Sequence, residues 1–182
     1  MQSVRRHMKF LRLSAKSCLI AAAFACSVFG ASAQSTEPTV PAREGRVTDL
    51  AHILKPKERA VVVSSLAIYE KETSHQIVVL TVPTLDGERM ETFSLRTARA
   101  WRIGRADYNN GILITLALKE GAIRIELGRG FEKYISNAEA KSIVQDTMVP
   151  QLAKRKYYAA LHQGLDRLMG LARRYVAPPV LQ

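Results

Sequence analysis

The chain has 182 residues, a formal charge of +11 and two cysteines, long enough for one hydrophobic core and too poor in cysteine for a disulfide framework. Both cysteines (Cys18, Cys26) and five of the 27 Lys and Arg residues (Arg5, Arg6, Lys9, Arg12, Lys16) lie in the first 33 positions. There a basic start, an apolar run from Cys18 to Phe29 and Ala31-Ser32-Ala33 have the layout of a secretory signal peptide cleaved after Ala33. The run is shorter than the roughly 20 residues of a transmembrane helix, so the protein is expected to be periplasmic or secreted and not integral to the membrane. Removing 33 of 182 residues leaves 149, with 22 Lys and Arg against 16 Asp and Glu, a charge of +6. Such an exported chain has no thiol nucleophile and no thiolate metal ligand, and a nucleic-acid partner is not expected.

Residues 34–46 are polar, carry Pro38 and Pro41, and read as a flexible lead-in. The ordered domain is expected over 47–176, with 177–182 as a tail. Val47-Thr48-Asp49-Leu50 begins it, and Pro56 opens a helix whose buried stripe is Val62, Leu66 and Tyr69, ending between Glu70 and Ser74. The β-branched run Gln76 to Val82 reads as a central strand stopped by Pro83. A second helix, Met90 to Trp101, places Phe93, Ala100 and Trp101 at spacings that can share a buried face. Gly111 to Leu118 and Ala122 to Leu127, joined by Lys119-Glu120-Gly121, form an antiparallel hairpin. Its first strand is apolar throughout and its second alternates, so the second lies nearer the sheet edge. A helix capped by Ser136 or Asn137 carries Ile143, Val144 and Met148 and stops near Pro150. The last helix, Tyr157 to Val176, puts Leu161, Leu165, Leu168, Ala172 and Val176 on one side and Lys156, Arg167 and Arg174 opposite.

This order predicts a three-layer α/β/α sandwich on a small mixed sheet that contains the hairpin. The hairpin folds Asp107 to Asn110 beside Gly128 to Glu132 at one end of the sheet, with His75 at that same end and Asp86 at the other. Chemistry there has few candidates. No G-x-S-x-G elbow occurs, and His52, His75 and His162 form no H-E-x-x-H motif. Gly128-Arg129-Gly130 lacks the third glycine and the parallel strand-to-helix context of a dinucleotide loop, though Arg129 can hold an anion, and Glu132 closes the same loop. Asn109-Asn110-Gly111 suits a backbone that needs positive φ. The basic C-terminal helix suggests attraction to an acidic membrane surface or an acidic protein.

Several segments in fixed order resemble the TPM-domain family. They are Val47-Thr48-Asp49, the strand Gln76 to Val82, Trp101-Arg102-Ile103-Gly104, Asn109-Asn110-Gly111 running into Ile112-Leu113-Ile114, Arg124 through Glu132, and Met148-Val149-Pro150. The resemblance spans about Val47 to Met169. It implies an α/β/α fold in a thylakoid-lumen or bacterial-envelope protein, some relatives being acid phosphatases or calcium binders and others accessory proteins of membrane complexes. It also implies a divalent-ion site from Asp49, Asp107, Asn109, Asn110 and Asn137, taking calcium or magnesium. Amides stand at Asn109 and Asn137 where relatives often carry carboxylates, which lowers the affinity such a site could have. The expectation is therefore a non-catalytic accessory or binding module working with an unidentified envelope protein, with a metal-assisted acid phosphatase as the alternative.

Overall fold

The structure is a computed structural model and describes residues 39–176. The expected signal peptide and the 177–182 tail lie outside the described residues. Four strands form one mixed sheet in the order β1-β2-β3-β4: β1 (Val47–Asp49), β2 (Gln76–Val82), β3 (Gly111–Ala117) and β4 (Ala122–Leu127). The first three run parallel, and β4 pairs antiparallel to β3 with Ile112 opposite Leu127 and Ala117 opposite Ala122. The doubly apolar strand is interior and the alternating one is the edge. β1 is a strand that the sequence reading left unassigned, because three residues are too few to show a period.

Alternation along β2 and β3 sends side chains to two separate apolar clusters. Ile77, Val79, Ile112, Ile114 and Ile125 face Val62, Leu66 and Tyr69 of α1 (Pro56–Thr73) and Leu161, Leu165 and Leu168 of α5 (Tyr157–Ala172). Val78, Leu80, Val82 and Leu113 face Phe93 of α2 (Met90–Ala100). Each such side chain contributes about 1.5–3 kcal/mol on full burial, so the two faces together hold the layers. Among the described residues no helix is long and apolar enough to cross a membrane.

Four local features differ from the sequence reading. In α2 the buried positions are Phe93, Ser94 and Thr97, whereas Ala100 is exposed although only about 20° around the helix from Phe93, because it is the last residue of α2. Trp101 is half-buried, its Nε1 donating to the Pro41 carbonyl at 2.8 Å. That bond, with Glu44 N–H to Thr48 Oγ1 at 2.9 Å, ties residues 41–46 onto the domain. The helix expected to stop at Pro150 continues: α3 (Asn137–Ser142) passes through a π-helical turn, Ile143–Met148, into α4 (Val149–Ala153). The wider turn, with Val149 N–H bonded to the Val144 carbonyl, accommodates a proline that lacks its own N–H. Finally, α5 ends at Ala172 and leaves Val176 80% exposed, outside the buried stripe.

Candidate functional site

The loops at the start of β2 and β3 meet the end of β4 through their backbones. Gly128 N–H donates to the Gly111 carbonyl at 2.8 Å, and Gly130 N–H to the Asn109 carbonyl at 3.1 Å. A Cβ on Gly111 would fall on the Ile103 carbonyl and one on Gly128 on the Asn109 carbonyl, far inside van der Waals distance. The three glycine-bearing signatures therefore build one junction of three chain segments, in which only glycine fits. Asn109 enters it at φ +47, a conformation that asparagine tolerates better than most residues.

Asn110 is fully buried, and its side-chain amide and its carbonyl all have partners. Its Nδ2 donates to the Ser74 carbonyl at 2.7 Å, its Oδ1 accepts from Arg105 N–H at 2.8 Å, and its carbonyl accepts from Gln76 N–H at 3.0 Å. Gln76 completes the lock, its Oε1 accepting from Gly104 N–H at 2.9 Å. Asp107, Asn109, Asn110, Arg129 and Glu132 thus share the expected end of the sheet, with Asp107, Asn109, Arg129 and Glu132 exposed.

Asp49 lies elsewhere. It is in register with Thr81, five residues along β2 from Gln76, which at about 3.3 Å per residue puts it roughly 16 Å from the junction. Its carboxylate accepts from Ile53 N–H at 3.2 Å, from Leu54 N–H at 3.0 Å and from the Thr81 hydroxyl, bracing the turn after β1. Asn137 is the exposed first residue of α3, in the layer on the α5 side, behind the capping box that Ser136 makes with Glu139. Asp49 therefore stands apart from Asp107 and Asn109, and the Asn110 side chain beside them is taken up by Ser74 and Arg105, so the five residues are not all free to share one divalent-ion centre. Among the described residues no cluster of three or more His, Cys, Asp or Glu side chains has a metal-holding arrangement.

His75 is at the expected end but inside the core. Its Nδ1 lies 2.9 Å from the Tyr69 hydroxyl, its ring stacks on Tyr175 at 5.2 Å, and Phe131 meets it edge-on at 5.0 Å. Nε2 makes no well-formed hydrogen bond. Burial pushes the His75 pKa down against a pull upward from the Tyr175 backbone, with the Arg173 charge adding to the fall. Burial likewise pushes the Tyr69 hydroxyl up to about 12. Tyr175, which follows α5, also donates its hydroxyl to the Tyr108 carbonyl at 3.1 Å. It clamps the junction from the α5 side.

On the α2 side the same junction borders a cleft of about 400 Å³. Leu95, Ala98, Ile103, Leu113 and Leu127 give it apolar walls, and Arg99, Arg102, Arg105 and Arg129 line it together with Glu126. Glu126 is already held by Arg124 at 2.7 Å. Among the described residues none of the four lining arginines pairs with a carboxylate. Arg105 lies over the Tyr108 ring at 5.1 Å. Arg102 sits at φ +47 just past α2, its N–H bonded to the Arg99 carbonyl at 3.1 Å. The backbone that aims these arginines is thus fixed by the helix end and the junction.

Of the four, only Arg129 stood out in the sequence. The spacing Arg99-x-x-Arg102-x-x-Arg105 was the available signal, since it carries three cations across a helix end. The basic C-terminal helix, by contrast, is partly neutralised: Arg173 pairs with Glu72 and Arg174 with Glu139, each at 2.7 Å.

A TPM-domain family model matches residues 47–171. No curated protein matches the sequence. Among solved structures, the N-terminal domain of a P. gingivalis protein is similar at 28% identity and a TM-score of 0.66, over 71% of this chain and 83% of that one. A protein from the psychrophilic bacterium Bizionia argentinensis shares the fold at 16% identity and a TM-score of 0.61, over 70% and 86% of the two chains. An N-terminal domain from Corynebacterium glutamicum does so at 16% and 0.55, over 81% and 94%. The junction glycines and Asn109-Asn110 lie within the matched span, as do the cleft arginines, and the chain belongs to the TPM-domain family.

Proposed function

We propose that the protein is an exported, non-catalytic binding module of the cell envelope, released into the periplasm or the medium by cleavage after Ala33. One observation carries this reading. Where the family's signature loops meet, the buried amide of Asn110 is taken up by the backbone it holds together, and the charged side chains lining the neighbouring cleft are four arginines and the already paired Glu126. Arginine binds and orients anions through a planar fork of donors, and because it stays protonated it is a poor proton carrier. Among the described residues lining the cleft there is no nucleophile with an adjacent base, as covalent catalysis would require.

The test is incubation of the protein beginning at Gln34 with an aryl phosphate from pH 4 to 8, with and without calcium or magnesium. Phosphate release no faster than in a blank is the expected result. Metal-dependent turnover that falls in Asp49→Ala or Asn109→Ala would establish the phosphatase reading instead. Export is checked separately by sequencing the N-terminus of the mature protein, which should begin at Gln34.

A further inference from the structure

We infer that the arginine cleft between α2 and β4 binds a small amphipathic anion: a molecule with one oxyanion head and an apolar body. The inference rests on the reading of the chain as a binding module and names the ligand class of that site.

Three observations point to this class. The first is charge. Four lining arginines have no carboxylate partner among the described residues, and the single lining carboxylate, Glu126, is already paired with Arg124 at 2.7 Å. An anion entering the cleft thus meets cations it need not take from a competing group. Guanidinium forks also match the geometry of phosphate and carboxylate oxygens.

The second is the wall. Leu95 on α2 is 37% exposed at the cleft, and Ile103, Leu113 and Leu127 continue the apolar surface inward. A bare inorganic ion would leave that surface wet, whereas an alkyl or aryl body would cover it.

The third is shape. A concavity of about 400 Å³ lies in the range of small-molecule sites. A flat bilayer would not reach its floor. Two further basic residues of the molecule's surface, Arg173 and Arg174, are already in ion pairs with Glu72 and Glu139.

The experiment is calorimetric titration of the protein beginning at Gln34 with octyl phosphate below its micelle concentration. Parallel titrations use inorganic phosphate, octyl glucoside and phosphatidylglycerol vesicles. Saturable binding of octyl phosphate is expected, at least about tenfold tighter than inorganic phosphate or octyl glucoside and weakening as ionic strength rises. The double variant Arg99→Gln/Arg129→Gln should lose about tenfold or more in affinity with an unchanged melting temperature, since both side chains are exposed. Leu95→Gln should weaken octyl phosphate and leave inorganic phosphate unaffected.

Equal binding by both variants, equal binding of inorganic phosphate, or binding to vesicles without binding to octyl phosphate would each overturn the inference. Released phosphate is assayed in the same samples. Its release would overturn the non-catalytic reading, whereas absence of both binding and release would overturn the cleft alone.

Discussion

His75 shows how a residue at the right end of the sheet can serve the core. Its ring is fully buried between Tyr69, Phe131 and Tyr175, and its folded-state pKa is depressed. Below its unfolded value of about 6.5 the unfolded chain binds the proton more readily than the folded one. Stability is therefore greatest above pH 6.5 and falls as pH drops toward the lowered folded value. Melting curves from pH 7.5 to 5 should show that decline, and in His75→Gln it should flatten from a lower starting point. Glu139 acts further into acid. The Ser136 N–H, then Arg174 and the Ser136 hydroxyl, hold its carboxyl down at about 2. Its contribution persists above the ordinary carboxylate range and is lost as pH falls through about 2.

Two glycines separate close packing from mere absence of a side chain. Gly128→Ala drives a methyl into the Asn109 carbonyl and should destabilise the fold by about 1–3 kcal/mol, the range of backbone strain and overpacking. Gly170 lies inside α5 with open space where a Cβ would stand. Gly170→Ala should stabilise by about 0.5–1 kcal/mol. Urea titration of the two variants checks both signs.

At the scale of elements, the structure turns on the junction of the loop between α2 and β3 with the start of β2 and the loop after β4. The hairpin was legible because its strands are long and Gly121, at φ +58, closes a three-residue connection. The burial stripe of α1, and that of α5 as far as Ala172, were legible from period alone. β1 was not, because its pairing with β2 is decided by tertiary contact and not by its three residues. The π-turn before Pro150 was also hidden, since a proline in sequence reads as a helix stop while here the helix continues past it, with Met148 packed against Gly164 of α5. Asp49 illustrates the difference between a carboxylate that stands in a signature and one that is free. With two backbone N–H groups and the Thr81 hydroxyl on it, Asp49→Ala should destabilise by about 2–3 kcal/mol, since hydrogen bonds to a charged group contribute about 1.5–3 kcal/mol. Thermal melts should give the same loss with and without calcium.

For the whole molecule, the layers place two kinds of surface at one end of the sheet. Toward α5 the junction is sealed by Tyr175 and the aromatic rings around it. Toward α2 it opens into the arginine cleft. The first could be located from topology, through His75 and the two loops. The second could not, because Arg99 comes from the end of α2, Arg102 and Arg105 from the connection after it and Arg129 from the loop after β4, and only packing shows which cations lack carboxylate partners. The basic C-terminal segment is less available, since Arg173 and Arg174 pair with Glu72 and Glu139. The most direct test is amide chemical-shift mapping during titration with octyl phosphate. Shifts should concentrate at residues 95–106 and 126–130 and leave 154–174 unmoved. Shifts centred on Lys154, Lys156 and Arg167, with the cleft silent, would contradict the account.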